Sequence, residues 1–169
     1  MKRRLLSLVC ILALVLALGA CGKKTAQELF GQIEMNSAEI IVPNVTLSML
    51  NALTFDDKPE LIDSDIAGLV YNVDGLYTEI SAYGSTGATA EAVIFLSCEN
   101  AEHAKQVYDV LEQYRKEMTD IYSRYNAAES EKLAAALLRQ DGKYVIFCVS
   151  PDTAAATEAY YTAVVNAQT

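Results

Sequence analysis

The chain has one histidine and no tryptophan, and its 13 lysines and arginines are outnumbered by 22 aspartates and glutamates. Each shortage excludes something. A single histidine rules out any site built from two or more of them. A net charge of −9 lacks the basic footprint that nucleic-acid binding requires. No Gly-x-Ser-x-Gly, Ser-x-x-Lys or His-Glu-x-x-His occurs, so the local signatures of serine and zinc hydrolases are missing. There is no internal repeat, no low-complexity tract and no long linker. With 169 residues, one domain is expected, two at most. No cofactor and no metal is expected.

What is there begins with an address. Met1-Lys2-Arg3-Arg4 is a positive start, Leu5 to Leu18 is an apolar centre, and fifteen of the first twenty residues are apolar. That is the pattern of an export signal. It falls short of the about 20 apolar residues of a comfortable transmembrane helix, although a plain N-terminal anchor is the competing reading. Leu18-Gly19-Ala20-Cys21 resembles the bacterial lipoprotein box, an aliphatic residue followed by two small ones and a cysteine. The resemblance implies that the Cys21 thiol carries a diacylglycerol and becomes residue one after cleavage. Two or more acyl chains anchor stably where one is marginal. Gly22-Lys23-Lys24 follows as a tether, its lysines either lying against anionic headgroups or merely keeping the tether wet.

The expected organisation is a signal peptide over 1–20, the lipidated Cys21 with its tether over 21–26, and a single α+β domain over 27–169. Within that domain, 27–65 reads as irregular and 66–169 as the sheet and helix core. Removing 20 residues, three of them basic, leaves 149 residues with 10 basic and 22 acidic side chains, a net charge of −12. A domain of about that size buries roughly 68–70% of its unfolded surface, enough for a core.

Short helices are expected over Thr25 to Glu34, with Leu29, Phe30 and Ile33 inward, and over Thr46 to Leu53. Ile40 to Pro43 reads as extended, and Phe55 to Asp65 as an acidic turn region. Leu76 to Tyr83 and Glu91 to Cys98 read as strands joined by the small-residue loop Gly84 to Thr89. A long helix follows, capped by Asn100, with Ala104, Val107, Leu111, Tyr114, Met118, Ile121 and Tyr125 on one face. Asp141-Gly142 between the apolar runs Leu133 to Arg139 and Lys143 to Val149 is a hairpin signal. Ser150-Pro151-Asp152 opens the last helix with Ser150 as N-cap, and Ala156, Tyr160, Ala163, Val164 and Ala167 face inward. Glu91 to Cys98 and Lys143 to Val149 are apolar on both faces, as covered strands are. Helices should therefore cover one face and the N-terminal part some of the other. The fold class is α+β: a four-stranded, mainly antiparallel sheet with one long helix, a C-terminal helix and short N-terminal helices.

The run Glu91-Ala92-Val93-Ile94-Phe95, the long helix carrying Arg115, then Tyr125 and Gly142-Lys143-Tyr144-Val145-Ile146 resemble a family of small Gram-positive lipoproteins catalogued as a domain of unknown function. The resemblance spans about Asp65 to Ala163, and extends to the N-terminal helices in its loosest form. It implies an α+β fold on a lipid anchor and carries over no catalytic residue.

Candidate chemistry is sparse. His103 falls in the first turn of the long helix, off its apolar face, and reads as a solvated helix residue, with a general base as the competing reading. The loop Gly84-Ser85-Thr86-Gly87 lacks the lysine of a phosphate loop. Asp56, Asp57, Asp63 and Asp65 lack the ligand order of a calcium loop. Glu79 and Glu91 on neighbouring strands could face one pocket as a hydrolase's carboxylate pair, or either could form a structural ion pair with Arg115 or Lys116. Cys98 and Cys148 near strand ends could bridge, as export permits, or remain buried thiols. Tyr77 and Tyr83 are the surface candidates for a carbohydrate platform. The leading expectation is a non-enzymatic binding or accessory domain on the extracytoplasmic face of the cell membrane. It would be held by membrane lipid through Cys21 and would meet a protein or envelope partner. A carboxylate-dependent cell-wall hydrolase and a small-ligand-binding lipoprotein are the alternatives.

Overall fold

The computed structural model describes residues 24–86 and 89–168. The expected signal segment over 1–20, Cys21 and most of the expected tether lie outside the described residues, as do Gly87 and Ala88 of the small-residue loop. The elements are α1 (Ala26–Phe30), α2 (Val42–Ala52), β1 (Glu60–Ile62), α3 (Ser64–Val70), β2 (Glu79–Gly84), β3 (Ala92–Ser97), α4 (Ala101–Ser123), α5 (Ala127–Ala134), β4 (Leu137–Asp141), β5 (Tyr144–Val149) and α6 (Thr153–Asn166). The fold is α+β, with one antiparallel sheet in the order β1-β2-β3-β5-β4.

The two central strands, AVIFLS and YVIFCV, are buried on both faces because the sheet is the middle layer of three. Period-two alternation sends Val93, Phe95, Tyr144, Ile146 and Cys148 to one face, where α1, α2 and α6 cover them. Ile94, Leu96, Val145, Phe147 and Val149 face α4 and α5 on the other side. Register aligns Phe95 with Ile146 and Ser97 with Tyr144, and the Phe95 and Tyr144 rings stack 5.5 Å apart.

Several expectations change. A fifth strand exists: β1 lies inside the acidic turn region and pairs along β2 from Glu60 opposite Gly84 to Ile62 opposite Ala82. At three residues it is too short to show alternation. The last helix joins the N-terminal helices on the face opposite α4, so both faces carry helices. Its N-cap is Asp152, which accepts from the Ala155 amide at 2.9 Å, while the Ser150 hydroxyl donates to the Asp152 carbonyl. All five residues expected to point inward from it are buried. In α1, Thr25 caps as expected, but Phe30 is the buried residue and Leu29 is exposed.

Asn100 caps α4 by accepting from the Glu102 and His103 amides. A helix of 23 residues is about 34 Å long at 1.5 Å per residue, whereas a six-residue strand spans about 20 Å. The helix therefore overhangs the sheet. Ala104, Val107 and Leu111 are buried, Tyr114 and Met118 are half-buried, and Tyr125, beyond the helix end, is 67% exposed. The expected seven-turn stripe ends early, and α5 folds back beside α4, capped by Asn126. Leu133 is thus a buried helix residue rather than the start of a strand.

Candidate functional site

Glu91 stands one residue before β3, where the Ser85 amide donates to its carbonyl at 2.9 Å. Its side chain has no exposed surface. Burying an ionised carboxylate is costly unless it is paired and hydrogen-bonded, and this one is both. Oε1 accepts from the Asp56 amide at 3.0 Å and from Lys132 Nζ at 3.1 Å. Oε2 accepts from the Asp57 amide at 2.8 Å and from Thr89 Oγ1 at 3.4 Å. Lys132 also reaches Asp56 Oδ2 at 2.6 Å and Glu129 Oε1 at 2.9 Å. Glu129 in turn accepts from the Ala90 amide at 2.8 Å. Three carboxylates thus surround one ammonium, leaving the cluster two charges negative. Burial pulls the Lys132 pKa down, but hydrogen bonds to Asp56, Glu129 and Glu91 outweigh it and hold the ammonium above the ordinary lysine range.

Beside this cluster lies a cavity of about 190 Å³. The rings of Tyr71, Tyr114, Tyr122 and Phe147 wall it, with Met118 and Leu133. Among the described residues lining it, Glu91 is the only charged one. Tyr71 and Tyr114 meet edge to face at 5.0 Å, and Tyr114 meets Phe147 likewise at 6.2 Å. The Tyr122 hydroxyl donates to the Thr89 carbonyl at 3.3 Å; burial first, then neighbouring Tyr125, pushes its pKa up to about 12. Tyr71 is 4% exposed, and its hydroxyl makes no hydrogen bond to any described residue. Burial, reinforced by Tyr114, keeps that phenol protonated far into alkali. A Cβ at Gly84 would come within 2.9 Å of Ile62 Cδ1 and lie in ordinary contact, at 3.6 Å, with the Tyr71 hydroxyl.

Glu79 and Glu91 do not share a pocket. Glu79 is exposed opposite Ser97 at one end of the β2–β3 hairpin, and Glu91 lies at the other. At about 3.4 Å per residue the two are about 20 Å apart, against about 5–9.5 Å for a glycosidase pair. The ion-pair partner of Glu91 is Lys132, not Arg115 or Lys116. Those two bind Glu112 on their own helix, and Arg115 also donates to the Ala134 carbonyl. Asp57 accepts from the Ser85 hydroxyl, Asp63 caps α3, and Asp65 lies in that helix's first turn. Among the described residues no group of three or more His, Cys, Asp or Glu could hold a metal ion.

Cys98 and Cys148 are both free and buried. Antiparallel register places Cys148 opposite Val93 and Cys98 beyond the Ser97–Tyr144 rung, so they lie at opposite ends of the strand pair and in opposite core layers. No bridge can form between them. Burial raises the Cys98 thiol to about 11 and, against a hydrogen bond with Ser150, the Cys148 thiol to about 12. His103 is a partly exposed helix residue with Nδ1 3.5 Å from Glu99. Tyr77 and Tyr83 are half-buried in the second and first core layers respectively, and Tyr77 donates to the Ser64 carbonyl, so neither offers an open platform. Sequence reasoning missed Lys132, Glu129 and Tyr71. The first two sit on an eight-residue helix with one large apolar residue, Leu133, and nothing in local spacing marks the third.

No curated protein and no solved structure matches the chain. Residues 70–150, which hold β2 to β5, α4, α5 and every described cavity-lining residue except Ile62, match the family model of a domain of unknown function, DUF4358.

Proposed function

We propose that the chain is a non-enzymatic binding domain, lipid-anchored through Cys21 on the extracytoplasmic face of the membrane, and that the tyrosine-walled cavity is its binding site. The observation that carries this is the cavity itself: a concave, mostly apolar space lined by Tyr71, Tyr114, Tyr122 and Phe147, with the Tyr71 hydroxyl open to it. A concave apolar space with few polar groups is where small ligands bind. The separation of Glu79 from Glu91, and the four donors already on Glu91, argue against the carboxylate-pair hydrolase. The anchor rests on the sequence, in the export signal and the lipoprotein-like Leu18-Gly19-Ala20-Cys21; among the described residues no helix is long and apolar enough to cross a membrane.

The test has two arms. A fragment screen read by NMR on the full chain in detergent should find ligands that perturb Tyr71, Tyr114 and Tyr122 together, and that a Gly84→Val variant no longer binds. Fragments that bind only elsewhere overturn the cavity reading. Membrane fractionation of a Cys21→Ala variant should move the protein out of the membrane pool; retention there overturns the lipid anchor.

A second reading, docking of a protein in the same membrane, is favoured by one surface. Ile66, Leu69 and Val70 project from one side of α3, and Leu69 is 72% exposed. A Leu69→Glu variant that loses an in-cell cross-link while keeping cavity ligands would establish docking as a separate role.

A further inference from the structure

We infer that the cavity selects a small organic cation, an ammonium carrying methyl groups, over neutral and anionic molecules of the same size. The inference rests on the cavity being a binding site and goes on to its charge preference. Three observations carry it. The walls are aromatic: the rings of Tyr71, Tyr114 and Tyr122 converge on the space with Phe147, and an aromatic face attracts a cation through its quadrupole. No lysine or arginine is among the described lining residues, and the one charged residue there is a carboxylate, Glu91. Behind it, Lys132 neutralises only one of the three carboxylates it touches, so the wall backs onto surplus negative charge. Glu91 and Glu129 are buried, so their charge is weakly screened, whereas the Asp56 carboxylate is 65% exposed and adds less.

Glu91 does not touch the ligand. Its oxygens are taken by Asp56, Asp57, Thr89 and Lys132, so it acts through its field. The rings make the contact. The Tyr71 hydroxyl, free of protein partners, supplies the one polar contact: its oxygen accepts from the ligand, or its proton is donated to a ligand hydroxyl. A space of about 190 Å³ suits a trimethylammonium head with a short arm.

The decisive comparison is choline against its uncharged carbon isostere, 3,3-dimethylbutan-1-ol, with acetate as the anion, each titrated by NMR into the full chain in detergent. Choline should bind at least tenfold more tightly than the isostere, and acetate should not bind. Tyr114→Leu should weaken choline about tenfold while leaving the isostere within twofold. Gly84→Val, which fills the space, should abolish both, and the thermal transition of each variant should confirm that it folds. Should either variant fail to fold, Met118→Trp closes the same space from α4. Equal binding of choline and isostere, with loss in the filled variants, would overturn the charge preference and leave the cavity reading intact. Binding of neither would overturn the cation preference and leave the cavity reading to the fragment screen, whereas binding indifferent to filling would overturn both.

Discussion

Replacing Glu91 with glutamine changes one atom type and no volume, and so isolates what the buried charge does. The carboxylate accepts four hydrogen bonds, two from the backbone amides of Asp56 and Asp57. A glutamine has one acceptor oxygen and one amide group. With its oxygen toward Asp56 and Lys132, it points its own N–H groups at the Asp57 amide, donor against donor. Leaving that amide unpaired costs about 1–3 kcal/mol, and turning charge-assisted bonds into neutral ones costs about 1 kcal/mol more. Against this, losing one of three crowded carboxylates relieves some repulsion, and Lys132 keeps Asp56 and Glu129. The balance is a loss of about 2–3 kcal/mol. At about 2–4 °C per kcal/mol for a domain of this size, that lowers Tm by roughly 5–10 °C.

Urea unfolding of wild type and Glu91→Gln, with equal m-values, measures the difference directly. Glu79→Gln is the control: its side chain is exposed at the far end of the hairpin, so it should stay within about 0.5 kcal/mol of wild type. A double-mutant cycle with Lys132→Met should then show coupling of about 1–3 kcal/mol. A Glu91→Gln loss under about 0.5 kcal/mol would refute the reasoning. If that same variant lost a catalytic turnover, the carboxylate would be chemical rather than structural.

The buried thiols of Cys98 and Cys148 should resist N-ethylmaleimide at pH 8 in the folded chain and react after denaturation, by peptide mapping; native-state labelling at a free-thiol rate would contradict their burial. Both stay protonated in the fold above the ordinary thiol pKa of 9.0, so the unfolded chain loses its protons first. The stability they contribute is complete below pH 9 and is lost as pH climbs to 11–12. Gly142→Ala should cost about 2–3 kcal/mol in chemical denaturation, because φ there is +56° and a Cβ would fall 2.8 Å from the Met35 carbonyl carbon; a loss under about 0.5 kcal/mol would mean that the turn relaxes freely. A chain trimmed to residues 70–150 should bind ANS and show no cooperative transition, since the sheet face carrying Phe95 and Ile146 is then bare; a sharp transition would show that the helices over it are dispensable.

The parts of the fold legible in the sequence are those whose signal is local. Two runs apolar on both faces gave the central strands, Asp141-Gly142 gave the hairpin with its left-handed Gly142, and helical spacing gave the buried side of α6. The rest fails for identifiable reasons. In α5, AAESEKLA carries a single large apolar residue, Leu133, so despite Asn126 and Glu129 at its start the run from Leu133 reads as more strand. The apolar spacing of α4 continues beyond the point where the sheet ends beneath it, and spacing alone cannot report that. Arg115 was a reasonable partner for Glu91 by charge, but it lies on the side of α4 that meets Glu112 and α5. The candidate site was least legible of all. Glu91 meets Asp56 and Asp57 across 35 and 34 positions and Lys132 across 41, separations at which no periodicity operates.

Those long-range contacts bear on where the folding unit ends. The family match starts at residue 70. Of the groups around Glu91, however, Lys132, Glu129 and Thr89 lie inside the match, while the Asp56 and Asp57 amides lie outside it. The carboxylate therefore fastens the loop after α2 to the start of β3. It does so at the point where α2 must stay seated on Val93 and Phe95. Three carboxylates around one lysine would be a poor arrangement by itself, because desolvation rises with each charge while only one attraction is available. The two backbone amides change that balance, since each donates to a charge already paid for by folding. They are available only when the loop is closed. The acidic cluster is thus conditional on the N-terminal segment, and the N-terminal segment on the cluster. The cavity inherits the dependence, because Glu91, Ala90 and Thr89 form one of its walls. Whatever binds there meets a wall whose shape is set jointly by residues within the family match and by a loop that precedes it.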